Sequence, residues 1–157
     1  MSDNQKTLNT SIEFSGVGLH TGKDVHMLIE PAKINHGIKF QRIDLESQPI
    51  LPADINLVTD TQRSTTLEKD NVKIVTVEHL MSALYALGVN NVLIKINNSE
   101  VPILDGSAKH FVEEIQRVGL EIQDAPLKYI HLPKPIHYKD PETGSEILFV
   151  PANNFII

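Results

Sequence analysis

An apolar stripe of helical period cannot also line one face of a strand, and residues 76–88 carry such a stripe. Val77, Leu80, Met81, Leu84 and Leu87 fall at i, i+3, i+4, i+7 and i+10, which predicts an amphipathic helix. Thr76 suits its N-cap, and Gly88 suits the position just past its C-terminus. Glu78 and His79 lie off the stripe, in the first turn, where a side chain can reach a ligand beyond the helix end. The positive end of the helix favours a carboxylate there and disfavours a cation. A carboxylate beside an imidazole is the minimum set for activating a metal-held water. The plainer reading is a charged first turn with an incidental histidine.

A second stripe, Ala108, Phe111, Val112, Ile115 and Val118, predicts another helix, opened by Ser107 and ended by Gly119. The rest of the chain has strand period. Val25, Met27 and Ile29 alternate with His26, Leu28 and Glu30, and Val92, Ile94 and Ile96 alternate with Leu93 and Lys95. Further strands are expected within Lys6–Phe14, over Ile38–Ile43 and over Val72–Val75. Leu51–Val58 reads as extended but weakly patterned, and Glu68–Asn71 as a turn. Three glycines in Gly16-Val17-Gly18-Leu19-His20-Thr21-Gly22 make a loop whose backbone can pass close to another group.

These elements predict an α+β, two-layer sandwich over residues 1–126, a β-sheet packed on two helices. Asp124-Ala125-Pro126 reads as a boundary. Residues 127–157 offer strands without helices, at Lys128–Leu132, Ile136–Lys139 and Ile147–Val150, with a turn at Asp140–Gly144. A last apolar run, Phe155-Ile156-Ile157, closes the chain. Strands with uncovered apolar faces need something to pack on, so the chain is expected to be the front part of a longer protein.

Composition limits the function classes. With 14 basic and 20 acidic side chains the net charge is −6, and no Lys/Arg cluster stands out, which does not suit a nucleic-acid partner. No cysteine is present, so a thiolate site and a disulfide frame are excluded. The N-terminus lacks a signal-peptide pattern and no apolar run approaches a membrane span. A cytoplasmic protein, not an integral membrane one, is expected.

Three motifs, the Gly16–Gly22 loop, Thr76-Val77-Glu78-His79-Leu80 and Val101-Pro102-Ile103-Leu104-Asp105-Gly106-Ser107, in this order and spacing, resemble the N-terminal half of the UDP-3-O-acyl-N-acetylglucosamine deacetylases. These are the zinc amidases of lipid A synthesis. The resemblance runs from about Lys6 to the chain end. It implies two similar α+β domains with the site between them, residues 127–157 being the first strands of the second. It implies zinc held by two His and one Asp, with His79 the one ligand from the first domain and Glu78 the general base. The other ligands are expected in a His-Lys-x-x-x-Asp helix of the C-terminal domain, outside this chain. The implied substrate is UDP-3-O-(3-hydroxyacyl)-N-acetylglucosamine, which loses its N-acetyl group. The chain lacks the His-Glu-x-x-His arrangement that puts two ligands on one helix, in keeping with a split site. Residues 1–157 alone are accordingly expected to be inactive.

The resemblance also names Thr61 and Ser64 as substrate contacts, in a segment (Asp60–Thr66) like the family's insert beside the acyl-chain passage. Gln62, Arg63 and Ser64 stand where some relatives carry Met, Leu and Cys, which makes this wall more polar. His20 has two readings: a substrate-binding residue at the metal pocket, or a water-exposed loop histidine. Asp105 reads as a turn or capping acid, with a catalytic role as the alternative. His26, His36, His110, His131 and His137 read as surface or structural residues. From a different class, the alternative is a non-catalytic α+β binding module. A degenerate homologue is a third reading, against which Glu78 and His79 speak.

Overall fold

The computed structural model describes residues 4–130 and 132–152. The chain divides into two compact units, Met1–Leu127 and Lys128–Ile157.

The first unit is built on a five-stranded sheet. β2 (Ile12–Val17), β3 (Asp24–Pro31), β4 (Ile38–Arg42), β5 (Ile50–Pro52) and β9 (Val92–Ile96) lie in the order β2-β3-β9-β4-β5. All neighbours are antiparallel except β9 and β4, which run parallel with Ile38 opposite Val92 and Arg42 opposite Ile96. The period-2 alternation puts Val25, Met27, Ile29, Val92, Ile94 and Ile96 in the core, each at most 2% exposed. Two helices supply the other layer, α1 (Glu78–Leu87) and α2 (Lys109–Val118). Leu80, Ala83 and Leu84 of α1 and Phe111 and Ile115 of α2 join the same buried cluster. Phe111 meets Phe14 of β2 edge to face, with ring centroids 4.9 Å apart. Burying each large apolar side chain contributes about 1.5–3 kcal/mol, so this cluster is what fixes α1 on the sheet.

Helix α1 ends as its sequence dictates. Gly88 takes a left-handed conformation (φ 73°), its N–H reaches the Tyr85 carbonyl, and the Val89 N–H reaches that of Leu84. This is the glycine-closed Schellman pattern, completed by the buried pair Leu84 and Val89. Its start differs from the sequence expectation. Thr76 is not the cap. Val77 occupies that place with no side-chain cap bond, while Thr76 is buried in the left-handed region (φ 60°) with its hydroxyl turned elsewhere. At α2 the cap position falls on Ala108, with no side-chain cap bond, and Ser107 stands one residue before it, its hydroxyl accepting from the Lys109 N–H at 3.1 Å.

Two smaller sheets complete this unit. β6 (Val58–Asp60), β7 (Thr66–Lys69) and β8 (Val72–Ile74) form an antiparallel meander. The β7–β8 turn is only Asp70-Asn71, both at positive φ (50° and 63°), because Lys69 already pairs with Val72. β1 (Asn4–Leu8) pairs antiparallel with β10 (Leu120–Pro126). The expected single strand within Lys6–Phe14 is therefore two strands in different sheets. Leu51–Val58 is broken as well, since a short 3-10 turn, Ile55–Leu57, separates β5 from β6. β10 runs through the Asp124-Ala125-Pro126 segment read as a boundary.

In the second unit, β11 (Ile136–Lys139) and β12 (Glu146–Phe149) form an antiparallel hairpin around the Asp140–Gly144 turn. Its backbone is closed by Asp140 and Ser145, and by Gly144 donating to the Asp140 carbonyl. The strand expected at Lys128–Leu132 is absent among the described residues there. His131 and the Phe155-Ile156-Ile157 run lie outside the described residues. Among the described residues no helix is long and apolar enough to cross a membrane.

Candidate functional site

The order of elements brings the three motifs to one corner of the first unit. After β8 the chain forms a parallel bridge between Val75 and Glu100: the Val75 N–H donates to the Ser99 carbonyl (2.8 Å) and the Val101 N–H to that of Val75 (3.0 Å). Thr76 then reverses direction and α1 begins at Glu78. A left-handed threonine costs about 1–3 kcal/mol and persists only where its surroundings hold it. Here the Thr76 hydroxyl donates to the Glu100 carboxylate at 2.9 Å.

Glu78 and His79 are half-buried in the first turn of α1, next to helix N–H groups that no side chain caps. The Glu78 Oε2 accepts from the Thr65 N–H at 3.1 Å, and the Val77 N–H reaches the Thr65 carbonyl at 3.4 Å. Thr65 thus fastens the start of α1 to the segment between β6 and β7. The same segment walls an open cavity of about 540 Å³. His20, Asp60, Arg63 and Ser64 line it, together with Glu68 and Lys73. Gln62, Arg63 and Ser64 all face this space, so the wall is polar, as their side-chain types require.

The sequence-derived site residues divide accordingly. His20 is exposed and shares the cavity with half-buried Ser64. Glu78 reaches this wall through Thr65. Thr61 is exposed on the same connection but is not among the lining residues, and neither is His79. Asp105 accepts from the N–H and the hydroxyl of Ser107 at 3.0 and 2.8 Å, as a turn acid does. The Ser107 hydroxyl above all holds its carboxyl below the usual aspartate range. His26 bonds Ser15, His36 bonds its neighbour's carbonyl, and His110 and His137 sit beside surface carboxylates.

A fully buried carboxylate, Glu100, is the residue that sequence reasoning misses. It accepts from the His20 N–H (2.9 Å), the Thr21 N–H (2.8 Å) and the Thr76 hydroxyl. Burial alone pushes its pKa up, but the bonds from His20, Thr21 and Thr76 outweigh that and hold it below the usual glutamate value. The missed signal is an unanswered question about the glycine-rich loop: its N–H groups need acceptors, and a lone acid between apolar runs is the candidate.

For a zinc ion, the fit of these residues is partial. Among the described residues no three His, Cys, Asp or Glu side chains gather into a metal-sized cluster. His79 offers one imidazole at an open helix end, and Glu78 beside it is held by a backbone N–H, which leaves its other oxygen available. That donor set suits one ligand and one base, and a tetrahedral catalytic site needs three ligands.

Comparison with known proteins sets this corner in context. Residues 5–157 match the protein family described as UDP-3-O-acyl N-acetylglycosamine deacetylase. The bifunctional enzyme LpxC/FabZ of Bacteroides thetaiotaomicron is 52% identical over 151 residues, covering 96% of this chain and 33% of that protein. The bifunctional enzyme LpxC/FabZ of Porphyromonas gingivalis is 44% identical over 153 residues, 98% of this chain and 33% of the relative. The UDP-3-O-acyl-N-acetylglucosamine deacetylase of Teredinibacter turnerae is 46% identical over 151 residues, 96% of this chain and 49% of the relative. The chain thus spans between a third and a half of the length of these relatives.

Proposed function

Because this chain belongs to the UDP-3-O-acyl N-acetylglycosamine deacetylase family, we propose that it forms the Glu-His half of a zinc-dependent deacetylase. The reaction removes the N-acetyl group from UDP-3-O-(3-hydroxyacyl)-N-acetylglucosamine, a step of lipid A and hence lipopolysaccharide biosynthesis. The reading carries a cytoplasmic location with it. The observation that carries the proposal is the pairing of Glu78 and His79 at an uncapped helix start, which Thr65 fastens to the segment whose neighbouring residues Ser64 and Thr66 line a cavity shared with His20.

In this reading His79 is a zinc ligand. When bound, zinc supplies Lewis acidity, lowering the pKa of water toward about 7 and polarising the acetamide carbonyl. Glu78 takes the proton of the attacking water, its Thr65 bond holding one carboxylate oxygen still while the other works. His20, Thr61 and Ser64 contact the substrate, with the polar Gln62–Ser64 wall limiting how much acyl chain this side accepts. We assign residues 1–126 to the first domain and 127–157 to the opening strands of a second. The remaining ligands then come from further C-terminal sequence, as the greater length of the relatives supports.

The test is acetate release from the UDP-sugar by the full-length protein, stripped of metal and then reloaded. Activity that vanishes with a chelator and returns with zinc supports the proposal. Full activity in the stripped protein, or none after zinc is restored, overturns it.

A further inference from the structure

The Glu100 carboxylate is 0% exposed, yet it is not where a stability argument would put an acid. A buried charge gains its place only when its hydrogen bonds are complete, and an apolar residue of similar size often serves stability equally well. What an apolar residue cannot do is hold three donors in fixed positions. Oε1 takes the His20 N–H and the Thr76 hydroxyl, each at 2.9 Å, and Oε2 takes the Thr21 N–H at 2.8 Å. Two of these donors belong to the loop that carries His20, and the third is the residue that turns the chain into α1.

The loop is shaped around this carboxylate. A Cβ on Gly18 would stand 2.4 Å from Glu100 Oε2 and 2.4 Å from Thr21 Oγ1, so only glycine lets the loop close over the acid. Backbone bonds from Gly18 to the Lys23 carbonyl (3.0 Å) and from Gly22 to that of Gly18 (2.9 Å) lock the turn. Below, the Val75–Glu100 bridge ties the acid's own backbone to the segment leading into α1. One side chain therefore joins two motifs that lie about 60 residues apart in sequence, one lining the cavity at His20 and the other bonded through Glu78 to the segment that walls it.

We infer that Glu100 is a positioning residue, whose buried carboxylate locks the His20 loop to the Thr76 corner and so fixes where His20 stands relative to the Glu78–His79 turn. The catalytic part of this inference rests on the deacetylase reading, in which those residues serve one reaction. The anchoring of the loop does not.

The experiment uses full-length, zinc-loaded protein with Glu100→Gln, His20→Ala and the double variant, at a temperature where all are folded. An amide offers one acceptor oxygen for three donors and turns an N–H₂ group toward the others. Glu100→Gln is expected to keep its zinc and lose about 10- to 100-fold in kcat/KM, the scale of a misplaced group. Because the loss runs through His20, the double variant should fall within about twofold of the worse single. A general loosening of the fold would instead multiply the two losses, which overturns the inference, as does Glu100→Gln within about twofold of the parent. Gly18→Ala serves as the second variant should Glu100→Gln not fold. It keeps the acid, forces the loop off it, and should show the same non-additivity with His20→Ala. The amide proton signals of His20 and Thr21 in 15N-labelled protein give a readout independent of turnover. They should lie downfield in the parent and move upfield in either variant. Unmoved signals refute the anchor whatever the activity; moved signals in a parent that releases no acetate sink the deacetylase reading and leave the anchor standing.

Discussion

Asn91 is 1% exposed and holds together three segments that sequence pattern does not connect. Its Nδ2 donates to Gln5 Oε1 (2.8 Å) and Gln123 Oε1 (2.7 Å), and its Oδ1 accepts from the Gly37 N–H at 2.8 Å. β1, β10 and the turn before β4 meet at this one amide. Asn91→Leu keeps the branched shape, with bulkier methyl groups, and removes the bonds. Gln5 Oε1 keeps the Asn35 N–H at 2.9 Å, so two groups, buried Gln123 Oε1 and the N–H of half-buried Gly37, lose the amide that satisfies them. At about 1–3 kcal/mol for each unsatisfied group, the expected loss is about 2–6 kcal/mol. With an m-value of about 2 kcal/mol/M, the urea midpoint should fall by about 1–3 M. Asn91→Asp sharpens the test. It keeps the acceptor for Gly37 but turns an oxygen toward the Gln5 and Gln123 oxygens, and burial raises the pKa of such an acid. A raised folded-state pKa contributes stability below the unfolded value, about 3.9, that is lost as pH rises. The Asp variant should therefore stand nearer the parent at about pH 4 than at pH 8. A midpoint change worth less than about 0.5 kcal/mol for Asn91→Leu, or a pH-independent Asp variant, would refute this reasoning.

Leu84, fully buried between α1 and the sheet, should lose about 2–5 kcal/mol on substitution by Ala, read as an earlier thermal transition; a loss within about 0.5 kcal/mol would mean the helix does not bury that face. Glu100 and Asp44 titrate below their ordinary values of 4.5 and 3.8, Glu100 because its bonds outweigh burial and Asp44 because Arg42 grips it with two bonds. Their stabilisation is complete above those values and is lost as pH falls through the lowered ones, so urea midpoints should drop below about pH 4.5. Glu100→Gln should flatten the upper part of that drop, and an unchanged acid profile would count against the lowered pKa. Residues 1–157 expressed alone should compete poorly with a chelator for zinc, since one imidazole is not a three-ligand site; one tightly held ion per chain would place further ligands within these residues.

The parts of the fold legible in the sequence are those whose periodicity is decided locally. Val77 to Leu87 reads as a helix because its stripe faces one core, and Gly88 ends it because only a left-handed residue closes that pattern. Val25–Ile29 and Val92–Ile96 read as strands because one face is buried. β10 is not legible: Glu121, Gln123 and Asp124 break its alternation, and its partner β1 is at the other end of the unit. Thr76 looks like a cap because the local rule sees a hydroxyl before a helix. Glu100, 24 residues later, competes for that hydroxyl and wins, and the helix start goes uncapped. In the candidate site, the place of Glu78 and His79 in the first turn of α1 is legible because the motif is contiguous. The acceptor that holds the His20 loop is not, since its partners come together only through the Val75–Glu100 bridge.

Metal content and turnover, measured side by side in full-length Glu78→Gln and His79→Gln, test the division of labour at the start of α1 most directly. Glu78→Gln should retain near-parental zinc while acetate release falls by at least ~10²-fold, the scale for a lost general base. His79→Gln should lose zinc and activity together. Zinc lost in step with activity in Glu78→Gln, or zinc fully retained in His79→Gln, would contradict the assignment of base and ligand.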